Sequence, residues 1–98
     1  MIRYEVIIPP QAWRAIDGVY EYIATESRVG ARALRSRIEQ TIRKLDCFPL
    51  RGAVAPEGIV DGFTIRHKVV GKYRVLYTVE HRVVVIVGVR HSSRLSLR

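Results

Sequence analysis

The chain has 98 residues, a single cysteine and a formal net charge of +8, which fits one domain, 1–98, built around one core. Cys47 alone excludes an internal disulfide, and no apolar run approaches the roughly 18 residues of a membrane span, so a soluble cytoplasmic protein with no membrane partner is expected. The charge is lopsided, since eight basic residues after Asp61 face only Glu80, and that asymmetry points to a polyanionic partner.

Ile2–Ile8 is rich in β-branched residues and partly alternates, as a strand does. Pro9-Pro10 ends it, and Pro10 suits the first turn of a helix, where its missing N–H costs nothing. From Gln11 the period becomes helical: Ala12, Trp13, Ile16, Val19, Tyr20 and Ile23 share a face, and the helix should fade near Ala24–Thr25. Ser27 is placed to cap a second helix, whose stripe of Leu34, Ile38, Ile42 and Leu45 runs to about Cys47. Arg28, Arg32, Arg35 and Glu39 follow a neighbouring stripe and read as a solvated face. Phe48-Pro49 stops the helix.

Leu50–Gly62 has three glycines, a proline and no clear period, and reads as a loop. Three strands follow: Phe63–Val69, Tyr73–Glu80 and Val83–His91, with turns at Val70-Gly71-Lys72 and His81-Arg82. The last seven residues, SSRLSLR, are polar and read as a frayed end. The order is β-α-α-β-β-β, an α+β fold in which a helical hairpin packs on one face of an antiparallel sheet and leaves the other face largely open.

Basic side chains interrupt this sheet without any need of the core for them. A two-residue turn at His81-Arg82 pairs Glu80 with Val83 and sets Arg74 opposite Val89. A one-residue bulge would instead bring Arg74 and Arg90 together. Either register puts a guanidinium beside a second cation at the end of a central strand. Such a pair suits an anionic ligand, or is compensated internally by carboxylates such as Glu57 or Asp61. The resulting target- or anion-binding candidates are Arg66, Lys72, Arg74, Arg90, His91 and Arg94. His91 could serve as an acid or base near neutral pH. No metal-ligand spacing, phosphate loop or Ser-His-Asp pattern is present, and no cofactor is expected.

Four motifs in order resemble the RelE/ParE superfamily of type II toxin–antitoxin toxins. They are Tyr20-x-Tyr22-Ile23; Ile42-x-x-Leu45 with Phe48-Pro49-x-x-Gly52; Gly71-x-Tyr73-Arg74-Val75-x-Tyr77; and Val85-x-Val87-x-x-x-His91-x-x-Arg94. The resemblance spans nearly the whole chain and implies the β-α-α-meander fold. It also implies neutralisation by a small antitoxin, often with an acidic C-terminal segment that wraps the toxin. RelE-like members cleave mRNA in the ribosome with sheet cations and a terminal tyrosine or histidine; ParE-like members inhibit DNA gyrase without that set. Arg74 matches the arginine of the Tyr-Arg motif. Thr64 and Arg66 stand where RelE-type lysines are expected, and no tyrosine follows Tyr77. An arginine gives up a proton too reluctantly to be a base.

The resemblance therefore implies a ParE-like gyrase inhibitor held by a cognate antitoxin. The alternatives are a ribosome-dependent endoribonuclease, with Arg74 and His91 as its catalytic groups, and a non-toxic nucleic-acid-binding module. Tyr73 and Tyr77 alternate as core residues do, which gives that last reading no stacking platform.

Overall fold

Proline and a capping serine set the helical hairpin where the period is helical. The computed structural model describes residues 2–94. Strand β1 (Glu5–Ile7) leads into α1 (Pro10–Ala24), with Pro10 in the first turn. Helix α2 (Arg28–Arg43) is capped by Ser27, whose Oγ accepts the Gly30 N–H at 2.9 Å. Its last turn tightens into a 3-10 segment, Lys44–Asp46. Phe48 then takes a left-handed conformation (φ 51°) before a second 3-10 turn at Pro49–Arg51. The remaining strands are β2 (Ala53–Val60), β3 (Phe63–Val70), β4 (Tyr73–Glu80) and β5 (Val83–His91).

The sheet order is β1-β5-β4-β3-β2. Only β1–β5 is parallel; the other pairs are antiparallel. Both helices lie on one face over Ile16, Ile38, Ile42, Val75, Tyr77, Val84 and Ile86, all at most 1% exposed. Tyr77 carries the one polar group of that set, and its hydroxyl donates to the Pro49 carbonyl at 2.6 Å. A buried phenol needs such a partner. The opposite face holds a smaller cluster, Ala55, Ile65 and Leu76, flanked by Val60 and Val87. Among the described residues no helix is long and apolar enough to cross a membrane.

The α+β architecture agrees with expectation, and four details correct it. The segment read as a loop, Leu50–Gly62, contains strand β2. Its period is erased because Pro56 lacks a donor, Gly58 sits at φ +69°, and the register slips between Val54 and Ile59. An edge strand tolerates all three. Its hairpin signal was Asp61-Gly62, both at positive φ, the favoured dipeptide for a two-residue turn. The first strand covers Glu5–Ile7 rather than Ile2–Ile8. The second helix proper ends at Arg43, short of Cys47. Trp13, counted with the apolar face, is 38% exposed at the hairpin's margin.

The β4–β5 register combines both possibilities. Glu80 pairs with Val83 across the His81-Arg82 turn, and Tyr77 pairs with Ile86, but Leu76 pairs with Gly88. Val87 is thus an extra residue, a bulge that shifts every later pairing by one. Arg74 consequently faces Arg90, and Tyr73 faces His91. At the chain's end, Ser92 donates its N–H to the Lys72 carbonyl at 2.8 Å and Arg94 its N–H to His91 at 2.9 Å. The frayed end expected over SSRLSLR is thus hydrogen-bonded at Ser92 and Arg94, and its remaining residues, 95–98, lie outside the described residues.

Candidate functional site

The bulge at Val87 puts two guanidinium groups on the open face of the sheet, and one carboxylate lies between them. Glu57 reaches from β2 across β3 to Arg74, making two parallel hydrogen bonds of 2.8 and 2.7 Å. The side chains are 1% and 3% exposed, so this is a buried, bidentate pair. Arg74 Nη1 also donates to His67 Nδ1 at 3.2 Å, and Nη2 donates to the Arg94 carbonyl. Arg90 comes within 3.6 Å of the same carboxylate, yet its Nη1 has no hydrogen-bond partner among the described residues.

Electrostatics follow from this geometry. The hydrogen bonds from Arg74 hold the Glu57 carboxyl below its ordinary range, against the opposing effect of burial. Burial, then the charge of Arg74, push His67 down, so its ring stays neutral and accepts from the guanidinium. Hydrogen bonding to Glu57 raises Arg74 further above its already high value. Two permanent cations therefore share one carboxylate. The excess positive charge resides on Arg90, whose side chain is 18% exposed.

Arg90 also lines a hollow of about 640 Å³ where the end of β5 meets α1, together with Tyr22, Tyr73, His91, Ser93 and Arg94. The His91 ring meets Tyr73 edge-on at 5.3 Å between centroids. Its Nδ1 accepts the Ser93 N–H at 3.2 Å and lies 2.8 Å from Ser93 Oγ. A ring nitrogen that accepts a backbone N–H carries no proton, which leaves Nε2 as the protonated nitrogen. The named polar groups around this hollow are donors or cations, with no carboxylate among them. Their chemistry suits an anionic group.

The six residues singled out in the sequence do not form one cluster. Arg74 and Arg90 pair on the open face, with the Arg94 carbonyl on Arg74, while His91, paired with Tyr73, lies at the same end of β4 and β5 on the other side of the sheet. Arg66 faces the helices, opposite Tyr77, and donates to the carbonyls of Gly52 at 2.7 Å and Leu50 at 3.3 Å. That placement separates it from Arg74 by the thickness of the sheet, because alternate residues of a strand face opposite sides. Lys72 is exposed in the β3–β4 turn and contributes its carbonyl to Ser92. Glu57 entered the sequence reading only as one possible counter-ion; its central position depends on β2, which the sequence hid. Ser93 and Tyr22 were not singled out as site residues. Tyr22 carried a signal, because an aromatic 74% exposed on a helix falls off the apolar stripe of its neighbours.

The chain matches, over residues 6–96, the family described as ParE toxin of type II toxin–antitoxin system, parDE. Among solved structures it is similar to one described as the chromosomal ParDE TA system from P. aeruginosa. The TM-score is 0.73 at 16% identity, covering 93% of this chain and 98% of the other. It is also similar to a chain of the archaeal RelE–RelB complex from Pyrococcus horikoshii OT3. Here the TM-score is 0.64 at 20% identity, covering 96% and 99%. At these identities the two structures speak to the fold alone. No curated protein matches the chain in sequence.

Proposed function

The chain belongs to the ParE toxin family of type II toxin–antitoxin systems, and on that premise we propose that it inhibits DNA gyrase by binding, as a single-domain cytoplasmic toxin. The observation that carries this reading is the Arg74–Glu57 pair. Ribonuclease action would need Arg74 to steady a charged phosphorane. Here both of its terminal nitrogens are engaged by an internal carboxylate, in a pair 3% and 1% exposed. A surface that binds without cutting needs only complementary shape and charge, and Arg90 with the adjoining hollow supplies the charge.

A cognate antitoxin with an acidic C-terminal segment is the neutralising partner in this proposal. The structural relatives are described as ParDE and RelE–RelB systems, and the basic C-terminal half of this chain suits an acidic segment electrostatically.

The test adds purified protein to a gyrase supercoiling reaction and, separately, to translating ribosomes. Supercoiling should fall while mRNA stays intact, and the product of a neighbouring acidic-tailed reading frame should restore supercoiling. Codon-associated mRNA cuts that vanish in Arg74→Ala and His91→Ala would overturn the proposal in favour of an endoribonuclease.

A further inference from the structure

A second set of cations lies away from Arg90, along the seam between α2 and β3 on the helix side of the sheet. Lys68 lies opposite Val75 on the helix-facing side of β3. It lines a hollow of about 280 Å³ with Thr41, Lys44, Phe48 and Arg51. Arg51 holds its guanidinium 4.2 Å from the centroid of the Phe48 ring. Further along, Arg37 Nη1 lies 3.7 Å from where a Cβ on Gly71 would sit, next to Lys72 in the turn. Lys72 and Arg37 thus mark one end of the seam, and Lys68, Lys44 and Arg51 gather around the hollow at the other.

None of these five makes an ion pair with a described carboxylate; the described pairs use Arg3, Arg35, Arg74, Arg90 and His81. A row of unpaired like charges repels itself and is favourable only against an opposite field. Along β3, the stretch from Lys68 to Lys72 measures about 13 Å at the usual strand rise. Duplex DNA presents about eight phosphate charges over that length.

We propose that the α2–β3 seam is a docking surface for the phosphate backbone of double-stranded DNA. A single strand would stack successive bases on several open aromatic faces, whereas the hollow in this seam has one ring, Phe48, with Arg51 over one of its faces. Cations gathered around a hollow with no carboxylate in its lining match a polyphosphate better than a protein segment, in which acidic residues alternate with other chemistry. The choice of DNA over an RNA duplex rests on the gyrase reading, because gyrase works on DNA. The seam would then hold the nucleic acid while the Arg90 end meets the enzyme.

The experiment measures binding of the full-length protein to fluorescein-labelled 20-base-pair duplexes of two unrelated sequences, by anisotropy, from about 50 to 250 mM salt and without gyrase. Five neutralised phosphates predict a slope of log K against log salt near −4.5, at about −0.9 per contact. Lys44→Gln with Lys68→Gln should weaken both sequences alike and flatten the slope by about 1.8. Lys72→Gln, exposed in a turn, should flatten it by about 0.9 and serves if the double variant fails to fold. An unchanged slope in the variants that fold overturns the proposal. So does preference for polyglutamate over duplex DNA, which would make the seam a protein-binding surface, and so does tighter binding of an RNA duplex than of DNA. Gyrase is absent from the cuvette, so an unchanged slope leaves the gyrase reading standing, and failure to inhibit supercoiling leaves the seam result standing.

Discussion

Arg74 and Arg90 face each other across β4 and β5, yet Glu57 forms its two short hydrogen bonds with Arg74 alone. One guanidinium is therefore part of the fold's interior, and the other carries the uncompensated charge. On the proposed function, Arg74 serves stability and Arg90 serves recognition.

Glu57→Gln should be strongly destabilising. It leaves Arg74 buried without a counter-charge, a change that costs about 3–5 kcal/mol. Replacing both partners, Glu57→Leu with Arg74→Met, should cost less than the single change, because no unpaired charge stays behind. Equilibrium urea unfolding measures both. A loss under about 1 kcal/mol in Glu57→Gln would show that the pair contributes little.

Stability should fall on acidification. His67 and Glu57 both have folded values below their ordinary 6.5 and 4.5, so the unfolded chain binds more protons than the native one in these ranges. Their contributions are complete above the unfolded values and are lost as pH falls through the folded ones. Each such proton costs about 1.4 kcal/mol per pH unit. The decline should begin below about pH 6.5 with His67 and steepen below about 4.5 as Glu57 joins it. His67→Phe should flatten the upper part of the profile and keep the lower. A melting temperature that stays level between pH 7 and pH 5 in the native sequence would contradict this.

Gly52→Ala should be poorly tolerated. A Cβ there would sit 1.8 Å from Tyr77 Oη and 2.9 Å from its Cζ. The ring must move, and its hydrogen bond to Pro49 goes with it, so a loss of about 1–3 kcal/mol is expected. Adding Tyr77→Phe removes the closer clash and should recover part of that loss. Thermal unfolding of the two variants decides it; a double variant less stable than Gly52→Ala alone would refute the steric account.

Much of this fold could be read from the residues, and the failures have physical causes. The helices were legible because their apolar positions recur every three or four residues. Pro10 and Ser27 mark their starts, Pro10 in the first turn of α1 and Ser27 as the cap of α2. The central strands were legible because Tyr73, Val75 and Tyr77 alternate with residues of the other face. Strand β2 was not, since Pro56 and Gly58 break its period and Ala55 is its one buried apolar residue. The β4–β5 register had two solutions, because a bulge at Val87 changes no residue type. The centre of the site inherited both gaps: Glu57 arrives on the hidden strand, and Arg90 reaches Arg74 only through the bulge.

Arg90→Met should separate recognition from folding. Arg90 Nη1 is buried without a hydrogen-bond partner among the described residues, and Glu57 keeps both hydrogen bonds to Arg74 when it is removed. A methionine of similar length keeps the packing of the stem and removes an unmatched charge. Stability should therefore stay within about 1 kcal/mol of the native chain, or rise. Inhibition of gyrase should nevertheless drop by at least tenfold, the equivalent of about 1.4 kcal/mol of binding, because on the proposed function the variant has lost the partly exposed cation at that end of the sheet. Arg74→Met should show the opposite pattern: a large loss of stability from the stranded Glu57, with the residual folded protein still carrying Arg90. Urea unfolding and supercoiling assays on both variants test this. If Arg90→Met inhibits as well as the native chain, the recognition surface lies elsewhere on the molecule.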